Sequence, residues 1–518
     1  MSRDYDYYEA NAASIGLEEI TSSERNKRIL QRLRDGKYCI TLDISDGLYS
    51  DLHYLGWLGY FVGKSESLRR LEIERSYDDE DEGREQRIIH ALSDGIARNQ
   101  SIQYVRVSGL SGDGYATIAR ALGNLTQLES LTLLLFGTDI DDAGVAAFAH
   151  GLRNIGSSLK LLNLSGNSFG SEGLSALAAA LVNSTSLEEL HLSYNDFSMA
   201  AAGLGSLSDW LQTAAVDTLC LKYCEINDEG LQALSKDAIN NCEDLDLTCN
   251  NITGFGFRHL SNSLQSESCR LEYLRLGNMD IGDDGTEVLA RGLVGNKALR
   301  ALYFFGDYDT DFPFSHAGWA AFSTVLCNTS TVNDTYLSNH TVQELSDGVW
   351  EEFDSNIDED VVLYLRLNEV HPQHAARCKI LMNHNHLNMA PFLQWGLKCL
   401  PLAVSWFERA KPCTTLSIHY HDERRILKES DEEFESRVLT ALYEFVRGVP
   451  KKVLQRRDQL ILMAAYDDKI ARLEVGNERL REDVEQRDRK IAQLEEDNKR
   501  LRGVVKSARR ALDIEGVE

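Results

Sequence analysis

The side chains with the most chemical potential gather between residues 371 and 386, in HPQHAARCKILMNHNH. His371, His374, Cys378, His384 and His386 are all of types that can hold zinc. Their spacing matches no closed zinc site, because only one thiol is present and His371-x-x-His374 has no pair of thiols to complete it. The segment reads as surface or loop histidines, and no metal or other cofactor is expected. Ten cysteines in 518 residues are too sparse for a disulfide scaffold. The nucleotide-binding pattern G-x-x-x-x-G-K with Ser or Thr, the nucleophile pattern G-x-S-x-G and the metalloprotease pattern H-E-x-x-H do not occur. Asp and Glu are abundant but collect at helix starts, where the helix dipole and solubility account for them. No constellation that catalysis requires is found, so no enzyme is expected.

A second set of side chains suits recognition. Tyr273, Arg275, Tyr303, Phe305 and Tyr336 occupy outward positions on three late strands expected to start at Leu271, Leu299 and Val332. Aromatic residues and arginine on a solvent face are what binding hot spots use. Arg275 beside two tyrosines suits an acidic or aromatic peptide. The segment FGDYDTDFPFSHAG, with Tyr308, Phe312 and Phe314, is a long insertion in the late repeat, between the strands expected at Leu299 and Val332, and could instead cover the patch.

The elements that position these residues repeat along the chain. Residues 159–192 read LKLLNLSGNSFGSEGLSALAAALVNSTSLEELHL. Leu162 and Leu164 point to one side of a strand, with Leu161, Asn163 and Ser165 on the other. Asn167 follows, then a turn with an acidic helix start, then Leu174, Leu177, Ala178 and Leu181 at helical spacing. So short a strand and helix cannot bury their apolar sides alone and need copies on both flanks. Strand starts are expected at Cys39, Leu68, Ile102, Leu128, Leu159, Leu187, Val216, Cys242, Leu271, Leu299 and Val332, separated by 26 to 34 residues. Cys39 and Cys242 then replace a leucine and read as small core residues.

These residues resemble the ribonuclease-inhibitor type of leucine-rich repeat. The resemblance spans residues 37–345 and implies an α/β solenoid, a horseshoe with parallel strands on the concave face and helices on the convex face. Cys224 stands where other repeats have Asn167, Asn195 and Asn250. The resemblance implies that it is buried and reduced.

The expected organisation is a disordered tail and capping helix over 1–36, about eleven repeats over 37–347, a mostly helical capping region over 348–449 and a coiled coil over 450–518. In the last segment 17 Lys/Arg stand against 12 Asp/Glu between residues 451 and 512, on a chain whose net charge is −27. Ile470, Asn477, Val484, Ile491 and Asn498 fall on heptad a positions, and Leu473, Leu480, Leu494 and Leu501 on d positions. Asn at two a positions favours a parallel dimer, with a lone charged helix or a hetero-coiled coil as alternatives.

The negative charge argues against a nucleic-acid partner and against anionic membranes. MSRDYDYYEANAASIG lacks the apolar core of a signal peptide, so a cytoplasmic protein is expected, with the nucleus left open. The leading function is a non-catalytic scaffold binding a protein on its concave face. The alternative implied by the resemblance is a small-GTPase activator, in which Arg75 of ERSYDDEDEG would supply the arginine. A ubiquitin-ligase recognition subunit would need a helical head larger than the 36 residues before the first strand.

Overall fold

The computed structural model describes residues 5–43, 52–75, 82–134, 140–155, 157–214, 216–235, 239–304, 314–345, 358–370, 372, 374–384, 416–419, 424–427 and 490. Residues 1–379 with 415–428 form one compact unit. Within it, ten parallel strands make a single open sheet in strict chain order. They are β1 (Cys39–Asp43), β2 (Arg70–Glu74), β3 (Tyr104–Ser108), β4 (Ser130–Leu134), β5 (Leu161–Asn163), β6 (Glu189–His191), β7 (Thr218–Cys220), β8 (Asp244–Asp246), β9 (Tyr273–Arg275) and β10 (Ala301–Tyr303). The helices are α1 (Tyr5–Asn11), α2 (Leu17–Ile20), α3 (Glu24–Arg34), α4 (Leu52–Lys64), α5 (Glu82–Arg98), α6 (Gly112–Leu122), α7 (Asp142–Ile155), α8 (Ser171–Leu181), α9 (Ala201–Leu211), α10 (Asp228–Leu234), α11 (Gly254–Leu264), α12 (Gly282–Gly292), α13 (His316–Leu326), α14 (Val332–Leu337), α15 (Glu359–Val370) and α16 (Ala375–Asn383). From α4 to α13 one helix follows each strand. This is the leucine-rich-repeat solenoid that the spacing called for.

The register sets the core. Leu131, Leu162, Leu190, Leu219, Leu245, Leu274 and Leu302 pair side by side across successive strands. Each of them is essentially fully buried. A ladder of polar side chains closes the turn after each middle strand. The amide of Asn195 donates to Leu192 O and to Leu164 O of the preceding repeat, and Asn250 does the same with Leu247 O and Leu221 O. Cys224 keeps the pattern with a thiol, donating to Leu192 O at 3.2 Å. It is fully buried, and burial pushes its thiol up to about 12, so it stays protonated.

The acidic helix starts do more than meet their own helix dipole. Four carboxylates cap the helix of the following repeat. Asp142 accepts from Gly170 N and Gly173 N, ahead of and within α8. Asp228 accepts from Thr253 N and its hydroxyl before α11. Asp283 accepts from Ser315 N and its hydroxyl before α13, and these bonds hold its carboxyl below the usual range. Glu85 accepts from Ser111 N before α6. Orphan helix amides are thereby satisfied between repeats, which couples neighbours.

Four expectations need correction. First, residues 5–11 form a helix where the sequence suggested disorder. Tyr8 is 6 % exposed, and its ring meets Trp57 edge-on at 4.9 Å. Its hydroxyl lies 1.9 Å from where a Cβ on Gly56 would sit, so only glycine admits it. A polar-looking segment docks because tyrosine has a large apolar ring behind its hydroxyl.

Second, Val332 does not start a strand. Thr331 accepts from Asp334 N and caps α14 instead. Asn and Asp at 333 and 334 favour that turn over an extended chain. The chain returns to the sheet only at Glu344, bridged to Ala301.

Third, Cys39 is aligned with Arg70, one of the outward positions, and is partly exposed rather than core. Cys242 is buried as expected. Fourth, α15 and α16 fit a helical flank, but residues 416–419 and 424–427 pair as an antiparallel hairpin, which the 348–449 reading did not anticipate. The heptad residues 470–501 that carry the coiled-coil reading lie outside the described residues, as do Tyr308, Phe312, His371 and His386.

Candidate protein-binding surface

Side chains that alternate with the buried leucines form rows across the concave sheet. Two run along the C-terminal half. One is Glu189, Thr218, Asp244, Tyr273 and Ala301; the other is His191, Cys220, Asp246, Arg275 and Tyr303. Adjacent strands stand about 4.8 Å apart, so neighbours in a row touch.

Tyr273, Arg275 and Tyr303 are therefore brought together as the sequence implied. The Arg275 guanidinium lies 5.3 Å from the Tyr303 ring centroid and pairs with the Asp244 carboxylate on the neighbouring strand. Burial raises the Asp244 carboxyl above its ordinary value, and Arg275 works against that rise. The Tyr303 hydroxyl donates to Glu344 at 3.3 Å, and burial followed by that carboxylate pushes its pKa up to about 12.

Two other residues of the expected patch do not join it. Tyr336 sits on α14, 53 % exposed, because no strand forms there. Phe305 lies outside the described residues. Phe314, at the end of the following segment, packs on Phe304 and Trp319 at 5.0 Å each, on the core side.

Arg75 is also unlike its expectation. Its side chain is 7 % exposed and pairs with Glu85, itself 1 % exposed. Glu85 in turn holds the start of α6. Arg75 is a structural ion pair inside the turn, with no reach toward another protein. Among the described residues no group of three or more His, Cys, Asp or Glu could hold a metal ion, and no helix is long and apolar enough to cross a membrane.

The sequence reading missed a third feature, at the loop edge. Two residues after the last apolar position of six motifs, from β3 to β9, the backbone turns left-handed. Its amide then bonds the next repeat, as Gly166 N does to Ser193 O and Tyr194 N to Lys222 O. Glycine fills this position at Gly109 (φ 77°) and Gly166 (φ 75°). The following repeats put Tyr194 (φ 59°) and Tyr223 (φ 54°) there. Their rings stack at 4.8 Å with 13° between planes, and Tyr194 is 53 % exposed. A bulky side chain in this conformation costs about 1–2 kcal/mol, and such outliers collect at functional positions. The next two repeats fill the same position with Cys249 (φ 58°) and Asn278 (φ 53°), so what sets Tyr194 and Tyr223 apart is the adjacent pair of large aromatic rings.

A family profile described as "Leucine Rich repeat" matches residues 157–178, 183–201 and 218–235. Ribonuclease inhibitor from Mus musculus is 23 % identical over 287 residues, 49 % of this chain and 60 % of that protein. Ribonuclease inhibitor from Sus scrofa is 30 % identical over 178 residues, 33 % of this chain and 39 % of that one. "NACHT, LRR and PYD domains-containing protein 12" from Homo sapiens is 30 % identical over 210 residues, 40 % of this chain but 19 % of that protein. The chain thus spans 60 % or less of the length of these relatives. Arrays of this build expose extended concave surfaces suited to protein partners. With its ten-stranded sheet, its Asn and Cys ladder and these relatives, the repeat region is a leucine-rich-repeat solenoid of the ribonuclease-inhibitor type.

Proposed function

We propose that this chain is a protein-interaction scaffold, binding rather than catalytic, that grips a partner on the C-terminal half of its concave face and the turns beside it. The observation that carries this reading is the Tyr194–Tyr223 stack, held in solvent on strained backbone at the rim of that face. Two relatives bear the name ribonuclease inhibitor, and so act on another protein. Two carboxylates, Asp244 and Asp246, act on Arg275, and a third, Glu344, accepts from the Tyr303 hydroxyl. The expected acidic peptide gives way to a partner that brings lysine or arginine, because the one guanidinium is already neutralised by Asp244. No observation favours the GTPase-activator reading, given the pairing of Arg75 with Glu85.

The second half of the reading is a parallel homodimer through the 450–518 coil, supported by its heptads with Asn477 and Asn498 alone. Two joined arrays would gain avidity. The binding test captures a partner and compares Tyr273→Ala/Tyr303→Ala with the control Asn163→Ala. Loss of about 2–4 kcal/mol in the first and little change in the second is expected. Equal binding would remove this face from the account. Light scattering of the full chain at micromolar concentration tests the dimer, and a monomer mass would end that half.

A further inference from the structure

The chain carries 81 acidic residues against 54 Lys and Arg, yet one cleft has the opposite balance. It lies at the edge where helices end and strands begin, among the turns leading into β2, β3 and β4, whereas Tyr194 and Tyr223 follow the other ends of their strands. Its volume is about 570 Å3. Three cations line it, Lys64, Arg69 and Arg98, with a single carboxylate, Glu66.

The state of these cations sets the cleft apart from ordinary surface charge. Lys64 pairs with Glu9 at 2.8 Å. The Arg69 guanidinium donates to Glu66 O at 2.8 Å and Ser101 O at 3.1 Å, both backbone carbonyls. Arg98 lies 4.2 Å over the Tyr5 ring. Neither arginine has a carboxylate partner among the described residues. Both are held by neutral groups, so their charge is positioned but not cancelled. Ordering them on binding costs little entropy, because they are already ordered. Basic residues near helix C-termini commonly answer the helix dipole. Arg69 instead bonds carbonyls of the turns beyond α4 and α5, and Arg98, the last residue of α5, lies over a ring. The Gln100 and Gln127 side chains in the same lining make no hydrogen bond among the described residues. Each amide offers a donor and an acceptor, the complement of a peptide group.

We propose that this cleft binds an acidic peptide segment of a partner protein. Two of its carboxylates meet Arg69 and Arg98, and its main chain pairs with the Gln100 and Gln127 amides. A nucleic acid fits less well, since the lining contains no aromatic face on which a base could stack. Neither the concave face nor the coil enters this inference, so it stands or falls apart from the scaffold reading.

The test uses the full chain and a fluorescein-labelled peptide of alternating Glu and Gly, followed by fluorescence anisotropy. The parent should bind, and added salt should weaken binding. Arg69→Gln/Arg98→Gln should weaken it by at least about fivefold, the effect of two partly exposed ion pairs. Arg69→Lys/Arg98→Lys should keep most of it. Arg98→Gln alone, which breaks only a ring contact, decides the matter should the double variant misfold by circular dichroism. Tyr194→Gly/Tyr223→Gly should bind the peptide like the parent. The proposal is overturned by failure of the parent to bind, by equal binding to arginine variants that remain folded, by equal binding of a Gln-for-Glu peptide, or by a single-stranded oligonucleotide displacing the peptide at lower concentration than unlabelled peptide does.

Discussion

Replacing Tyr194 and Tyr223 together by glycine separates stability from function at the rim of the concave face. Both residues sit at φ between 54° and 59°. Glycine there removes about 1–2 kcal/mol of left-handed strain per site. It adds about 0.5–1 kcal/mol per site through the freedom of the unfolded chain. Losing the 4.8 Å ring stack takes away a further 0.5–1.5 kcal/mol, roughly, in total. These terms oppose one another, so the double variant should unfold within about 1–2 kcal/mol of the parent. Its turn amides keep their bonds to Lys222 O and Thr248 O, since glycine tolerates the conformation. Binding should respond otherwise. An exposed aromatic pair that a partner fully covers costs about 2–4 kcal/mol when removed. Urea unfolding followed by circular dichroism reads the first quantity, and calorimetry with the captured partner reads the second. A loss of stability beyond about 3 kcal/mol would show that the rings serve the fold. Unchanged affinity would show that they serve nothing at this face.

Three further outcomes follow from the packing. Leu190→Ala should cost about 2–5 kcal/mol in urea unfolding, since Leu190 is fully buried between repeats, while Glu189→Ala, half in solvent, should cost under about 0.5 kcal/mol; equal losses would mean the strand register is wrong. Glu85→Ala takes the carboxylate from the buried Arg75 and the cap from α6, so it should lower stability by about 3–5 kcal/mol, against under about 1 kcal/mol for the exposed pair partner Glu129; similar effects would contradict the burial of the pair. His340 has its pKa pushed down to about 4, first by burial and then by the Lys379 charge. Between that value and the ordinary 6.5 the unfolded chain takes up a proton that the folded chain refuses, so stability should fall as pH drops through this window. His340→Gln should flatten the fall, and an unchanged slope in urea midpoints between these pH values would refute the assignment.

The strands and core columns were legible because period-two leucines and a near-constant repeat length leave little freedom once each unit must bury its face on its neighbours. Cys224 was legible for the same reason, as a small group at a fixed rung of the ladder. Tyr8 was not, since composition counts a tyrosine as half polar and says nothing of the gap left by Gly56. Val332 misled because its apolar spacing fits a strand, while Thr331 and Asp334 set the local backbone through a cap. The aromatic concave patch was half legible. Alternation put Tyr273, Arg275 and Tyr303 on one surface, but alternation cannot say that Asp244 would neutralise Arg275, because that pairing joins residues 31 apart through strand register. The cross-repeat caps by Asp142, Asp228 and Asp283 were hidden in the same way, with each acceptor and donor on different repeats.

The central claim is that a partner covers the C-terminal concave face and its rim. Hydrogen exchange of the full chain, alone and with the captured partner, tests it most directly. The account predicts added protection in peptides covering 189–194, 218–223, 244–249 and 273–278, with the convex helices at 201–211 and 254–264 unchanged. Protection confined to those helices, or to residues beyond 345, would contradict it.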